Sequence, residues 1–282
     1  FKTAGNPLFV SQVARALVDE RLLRFDATTR RWVWNQAEVN GYRYADNVAE
    51  LMVQRLLRLP VSAREVLRTA GYVGGRCDET LLGDLLGDDP AQLLRDVDYL
   101  VSAGFLLREP GQLLFPHDRV LEAAAALTAP AGRSAEHARI AAAMLDQCGE
   151  QRQARVFDIA SQIQRSAGNA LQAPRRAEFI QLLLEAAERA RDSAAVEQAV
   201  DYLRSAEVLL GDNGWTQLYP QAFAARWLAA DCAMLLADLP GAQQRLDDCL
   251  EHAATVLDRA KTYRLRASLR AHARLIGYEL AP

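Results

Sequence analysis

Apolar residues recur at helical spacing along most of the chain, and the few places where the spacing changes mark its organisation. Behind Gly5-Asn6-Pro7, the residues Phe9, Val13, Ala16 and Leu17 predict an amphipathic helix reaching Glu20. Asn6 suits the N-cap and Pro7 the first helical position. Leu22–Phe25 and Trp32–Trp34, separated by the polar stretch Asp26–Arg30, predict a β-hairpin. A second amphipathic helix is expected over 46–59, with Val48, Leu51, Met52, Arg55, Leu56 and Leu59, and Pro60 stops it.

From Ser62 to about Thr128 three helices are expected: 62–72 ending at Gly74-Gly75, then Thr80–Leu86, then about 91 to Ser102. The last turns Leu93, Leu94, Val97, Leu100 and Val101 inward and closes at Gly104. Phe105–Arg108 and Gln112–Phe115 follow as strands about Glu109-Pro110-Gly111. Three helices and a two-stranded wing predict a winged helix-turn-helix. A helix over Arg119–Leu127 comes next, with Asp118 placed to cap it.

After Pro130 the pattern is helical throughout, over about 133–148, 152–166, 174–191, 194–210, 215–237, 240–256 and 258–278. This part repeats. Ala199, Leu203 and Ala206 return 43 residues later as Ala242, Leu246 and Cys249, and Ala187 and Ala190 return as Ala230 and Ala233. Small residues at these offsets let antiparallel helices approach closely, which is the logic of a tetratricopeptide-like solenoid. The expected fold is mainly α, with two short β-hairpins. The expected domains are 1–60, a winged helix over 61–129, connecting helices over 130–170 and tetratricopeptide-like repeats over 171–282.

Composition narrows the function. Half of the 282 residues are hydrophobic, and 33 basic against 36 acidic residues leave a net charge of −3. That balance gives no global positive field for nucleic acid or an anionic membrane. No apolar run approaches the ~20 residues of a membrane span. The chain opens Phe1-Lys2-Thr3 and is expected to be a piece of a longer cytoplasmic protein. Cys77, Cys148, Cys232 and Cys249 are scattered, which fits reduced thiols rather than a disulfide or metal framework.

Chemistry is sparse. There is no GxxxxGK[ST] phosphate loop, GxSxG, HExxH or CxxC string, so no catalytic or metal residues are expected and the segment is not expected to be an enzyme. Phe115-Pro116-His117-Asp118-Arg119-Val120 ends the wing and starts a helix. His117 is either a structural histidine satisfied by nearby backbone or a donor to a phosphate oxygen, and spacing alone favours the first. Pro7 is either part of a helix start or a flat surface for an adenine ring. Residues 78–98 carry seven carboxylates (Asp78, Glu79, Asp84, Asp88, Asp89, Asp96, Asp98) against Arg95, which argues against DNA binding by a recognition helix here. Arg266, Arg270 and Arg274, at i, i+4 steps, read first as a solvated face and otherwise as a site for an acidic partner. Trp32, Trp34, Trp215 and Trp227 are expected in the core or seams, and His137, His252 and His272 have no ligand-like neighbours in sequence.

Taken together, these strings resemble one family. Gly5-Asn6-Pro7-Leu8-Phe9 is similar to the G-x-P motif in the helical lid of the signal-transduction ATPases with numerous domains, an AAA+-like branch of the P-loop proteins. Phe115–Val120 resembles the His-Asp motif ending their winged helix, also found in NB-ARC proteins. Within the family, Leu22–Trp34, Phe115–Val120 and Ala199–Leu203 with Leu209-Leu210 and Trp215 resemble the ATPase-plus-repeat region of large bacterial kinases. These carry a serine/threonine-kinase-like domain before this region and often GAF and histidine-kinase modules after it. The resemblance covers nearly the whole chain and makes 1–60 the end of the lid with its hairpin. It implies that Pro7 contacts the adenine and His117 the β-phosphate of ADP, with ATP/ADP and Mg held in the intact protein. It implies an upstream nucleotide-binding domain of the same chain as one partner and a protein or peptide on the repeats as another, with neither nucleic acid nor membrane. The phosphate loop and its magnesium-binding acid are not among these residues, so tight nucleotide binding is not expected of this segment alone. The alternative is a transcriptional regulator carrying a winged helix and protein-binding repeats.

Overall fold

The computed structural model describes residues 10, 13–15, 17–18, 20–41, 55–87, 89–149, 152–171, 175–275 and 277–278. The fold is mainly α with two small antiparallel sheets. The chain divides into two compact units at Thr128/Ala129. Pro7 and most of the helix expected over 46–59 lie outside the described residues, while Arg55–Leu57 is helical.

In the first unit, β1 (Leu23–Asp26) and β2 (Arg31–Trp34) form the predicted hairpin, with Leu23 opposite Trp34 and Phe25 opposite Trp32. Asp26 holds the turn, its carboxylate accepting from the Thr28 N–H at 2.9 Å and the Thr29 hydroxyl at 2.6 Å. These two bonds keep the Asp26 carboxyl below its ordinary pKa. α1 (Gln36–Gly41) follows. Trp32 and Trp34 correct the sequence expectation. They are 51% and 57% exposed rather than core, because period-2 alternation puts Phe25, Trp32 and Trp34 on one hairpin face that no described element covers.

The rest of this unit runs α2 (Val61–Val73), β3 (Arg76–Asp78), α3 (Glu79–Leu86), α4 (Pro90–Ser102), β4 (Leu107–Glu109), β5 (Gln112–Leu114) and α5 (Asp118–Ala125). Where the sequence predicted two strands there are three, in the order β3-β5-β4. Three residues are too few to register a period-2 pattern, but Cys77 of β3 is buried opposite Leu113 of β5. One apolar cluster gathers Leu56, Val66, Leu67, Leu82, Val97, Leu100, Phe105, Leu106, Leu113 and Val120. Gly71 lets α2 and α5 touch, since a Cβ there would sit 3.0 Å from the Ala124 Cβ. Gly104, at φ +74°, turns the chain out of α4 in a conformation costly for other residues.

The acidic stretch has structural work. Asp78 caps α3 through the Thr80 N–H (2.9 Å), and Asp89 caps α4 through the Ala91 N–H (3.2 Å). Asp96 is buried and accepts from the Ser62 hydroxyl (3.0 Å) and Gln92 (2.9 Å). Arg108 of β4 is held between Glu79 (3.1 Å) and Asp98 (2.6 Å).

The second unit is helical among its described residues: α6 (Pro130–Cys148), α7 (Arg152–Leu171), α8 (Arg176–Asp192), α9 (Val196–Leu210), the single turn α10 (Gly214–Gln217), α11 (Tyr219–Leu235), α12 (Leu239–His252) and α13 (Val256–Leu275). Helices pack as hairpins α6/α7, α8/α9 and α11/α12. Every residue of the 43-residue repeat is buried: Ala187, Ala190, Ala199, Leu203 and Ala206 in one hairpin, and Ala230, Ala233, Ala242, Leu246 and Cys249 in the next. The turns repeat as well. Ala194 (φ 63°) and Ala237 (φ 60°) are both left-handed, and the following N–H closes back onto Ala190 (2.8 Å) or Ala233 (2.9 Å).

Candidate functional site

His117 sits between β5 and α5. The Phe115 N–H bonds the Gly75 carbonyl at 3.2 Å, anchoring the chain as it leaves β5, and His117 itself is extended (φ −164°, ψ 145°). Its Nδ1 accepts the Arg119 N–H at 3.1 Å and its carbonyl accepts the Val120 N–H at 2.9 Å. The imidazole is therefore the N-cap of α5. This corrects the expectation that Asp118 caps the helix. Asp118 is the first helical residue and supplies a negative charge to the positive end of the helix dipole.

The cap fixes the tautomer. An Nδ1 that accepts carries no proton, so in the neutral ring the proton lies on Nε2. The ring is solvent-exposed, as are Asp118 and Arg119, and Arg119 pairs with Glu122 at 2.8 Å. One ring nitrogen is thus occupied by structure, while the other is an N–H donor on an exposed ring. The structural reading of His117 left open by the sequence thus describes Nδ1.

The repeats hold a second cluster. The Trp215 indole stacks on the His252 imidazole with centroids 4.4 Å apart and planes 5° from parallel. The Tyr219 hydroxyl donates to Asp258 at 2.8 Å and accepts the Ala254 N–H at 2.9 Å, tying α11 to the turn before α13. Bonds from the Thr255 and Tyr219 hydroxyls hold the Asp258 carboxyl below its ordinary pKa. Asp248, Glu251 and His252 offer ligand atoms within 4.8 Å of one another, but Arg226 already holds Asp248 at 2.7 Å. That arrangement is an ion pair and a stack. Sequence reasoning assigned His252 no role, and a pairing of residues 37 positions apart on different helices leaves no local signal.

His137 has a partner too, its Nδ1 lying 2.7 Å from the Gln162 Oε1 across α6 and α7. The four cysteines are buried free thiols, and burial pushes Cys232 up to about 11 and Cys249 up to about 12, which makes these two poor nucleophiles. Of the basic trio on α13, Arg266 pairs with Asp247 at 2.8 Å, so it is not purely solvated. Trp227 is half-buried against the α11–α13 core, as expected of a seam residue. A cavity of about 130 Å³ between α7 and α9, lined by Ile163, Gln164, Ser205, Val208 and Leu209, is small beside the ~300 Å³ at which small-molecule sites begin.

No family model matches the chain. It is 34% identical over 106 residues to the hybrid signal transduction histidine kinase G of Dictyostelium discoideum, a match covering 38% of this chain and 3% of that protein. Among solved structures, a signal transduction ATPase with numerous domains carrying a tetratricopeptide repeat sensor, from Pyrococcus horikoshii, aligns with a TM-score of 0.37 and 14% identity. That alignment covers 82% of this chain and 38% of the other. The chain thus spans only a small part of the curated protein it matches.

Proposed function

We propose that this chain is a regulatory segment of a multidomain signalling protein, coupling the nucleotide state of an adjoining ATPase domain and partner binding on the repeats to an attached kinase output. The observation that carries this reading is the divided imidazole of His117, with Nδ1 fixed by the Arg119 N–H at 3.1 Å and the exposed ring left with Nε2 as donor. A ring pinned in this way meets an anion without losing rotamer freedom on binding. In the intact protein, ADP with Mg²⁺ would sit in the nucleotide-binding domain of the same chain, Pro7 would face the adenine and His117 the β-phosphate. A nucleotide that makes more contacts in one arrangement stabilises it, and exchange shifts the population. The segment itself holds and positions and is not the catalyst. The curated relative's description as a signal transduction histidine kinase agrees with a signalling setting, and the proposal places the segment in the cytoplasm. Among the described residues, no helix is long and apolar enough to cross a membrane.

The test separates the two nitrogens. In the intact parent protein, His117→Asn keeps both a cap acceptor and a donor, His117→Asp keeps the cap acceptor and lacks the donor, and His117→Ala lacks both. Retained ADP and kinase output should survive in the Asn variant and fall in the Asp and Ala variants. ADP retention by the Asp variant equal to wild type would remove the phosphate role.

A further inference from the structure

We infer that the Tyr219 hydroxyl is a lock on the loop between α12 and α13, that it sets the angle at which α13 leaves the second hairpin, and that α13 pivots when the lock is open. This goes beyond the nucleotide-linked reading and does not depend on it.

α13 is held unevenly along its length. From Thr262 onward one face is buried, and Leu265, Leu269 and Ala273 share a cluster with Ala230 and Ala233 of α11 and Leu246 of α12. The first turn has no such packing. Val256 and Leu257 are 85% and 63% exposed, Arg259, Ala260 and Lys261 are exposed as well, and Asp258 is half-buried. Among the described residues, the side-chain bonds from α13 to earlier helices are Tyr219–Asp258 at 2.8 Å and Arg266–Asp247 at 2.8 Å. The entry to α13 therefore rests on one hydroxyl, while its later turns rest on apolar contact. A solvated turn held by few contacts opens at lower cost than a packed helix. The buried residues then act as the pivot and the hydroxyl as the catch.

The catch is placed by a break in the chain. The sequence predicts one helix over 215–237, but Leu218 (φ −135°, ψ 47°) interrupts it, and Tyr219 becomes the first residue of α11. The Tyr219 ring neighbours Trp215 and Phe223, with centroids 6.1 Å away in each case, and Trp215 is itself stacked on His252 at the end of α12. Packed rings, rather than a free side chain, present the hydroxyl. It makes two bonds of opposite sense, donating to Asp258 and accepting the Ala254 N–H at 2.9 Å. Asp258 also accepts from the Thr255 hydroxyl at 2.7 Å, and the Thr255 Oγ1 accepts the Asp258 N–H at 3.0 Å as the cap of α13. One hydroxyl thereby orders the loop, the cap and the first turn together.

The preceding hairpin has a counterpart. Arg176, 43 positions before Tyr219 and likewise the first residue of its helix, donates to the Leu210 carbonyl at 2.9 Å where α9 ends. In both copies the first residue of a helix pair reaches the point where the chain leaves that pair. Arg176 grips the end of α9 alone, whereas Tyr219 grips both the loop and the helix beyond it. In a solenoid the small rotation between neighbouring units sets the curvature of the whole. A change at the Tyr219 step therefore alters the surface that the array presents to a partner.

Hydrogen exchange and spin-label distances in the full-length native protein test the lock. Tyr219→Phe keeps the ring and removes only the hydroxyl. Exchange over 254–261 should speed by roughly tenfold or more, with α8 and α9 unchanged. The distance distribution between nitroxides on Glu197→Cys of α9 and Ser268→Cys of α13, both exposed positions, should broaden in the same variant. Asp258→Ala should reproduce both effects, and Asp258→Asn, which keeps an acceptor for the hydroxyl, should stay near wild type. Wild-type exchange and distances in Tyr219→Phe would overturn the inference. So would acceleration spread evenly over α8, α9 and α13, which would make the hydroxyl a general support of the fold. Fast exchange over 254–261 with an unchanged distance distribution would also overturn it, since the turn would then fray without any pivoting of α13.

Discussion

The two units solve close packing in different ways. In the first, each tight contact is made once: Gly71 lets α2 meet α5, His117 caps α5, and Asp96 anchors Ser62 and Gln92. In the second, one contact is made twice with the same residues 43 positions apart, and even the left-handed alanines of the turns recur. A singular contact can be recruited for recognition without disturbing copies of itself, as proposed for His117. A repeated contact is a lattice in which each hairpin meets the next through the same residues.

The sharpest way to break this contrast is to truncate the repeated leucine. Leu203→Ala and Leu246→Ala remove equivalent buried side chains, and each should cost about 3 kcal/mol with similar loss in the two hairpins. Chemical denaturation of the two variants checks it, and costs differing by more than a factor of about two would show that the repeat is one of sequence only. Gly71→Val tests the singular contact. Its methyl groups would enter the 3.0 Å approach to Ala124, so the first unit should lose about 2 kcal/mol while the melting of the second is unaffected.

The turns are expected to respond with the opposite sign. Alanine in the left-handed region is strained, so Ala194→Gly and Ala237→Gly should each stabilise the second unit by about 0.5–1 kcal/mol, read as a shift in the denaturation midpoint. Gly104→Ala at φ +74° should destabilise the first unit by a similar amount. Stabilisation by only one of the two alanine replacements would mean that the turns are alike in backbone but not in energy.

The repeated region was the more legible in sequence because burial of small residues at fixed offsets is a pattern, and a pattern survives without coordinates. The helix expected over 215–237 is the exception, since the structure breaks it at Leu218 into α10 and α11. What escaped detection depends on partners far along the chain: β3, whose three residues gain meaning only opposite Leu113, and the Trp215–His252 stack. Trp32 and Trp34 were misplaced for a related reason, since hydrophobicity marks a surface for covering without saying whether these residues cover it. At the candidate donor, the strand-to-helix junction was readable from Phe115–Val120. The division between Nδ1 and Nε2 was not, because it depends on a backbone N–H two residues ahead.

The smallest effect concerns pH and belongs to the second unit alone. His137 is half-buried between α6 and α7. Burial lowers its pKa below the ordinary 6.5, and Arg165 pushes in the same direction, while the Gln162 bond and Glu136 oppose them. The unfolded chain therefore takes up this proton at a higher pH than the folded one. Stability from this residue is complete above about 6.5 and declines as pH falls through that value toward the lower folded pKa. His137→Phe should flatten the stability profile between pH 7 and 5.5, a window above the ordinary carboxylate range. Gln162→Leu removes a bond that favours the charged ring and should steepen it. Denaturant midpoints measured across that range check both slopes, and a His137→Phe profile as steep as wild type would assign the dependence to another group.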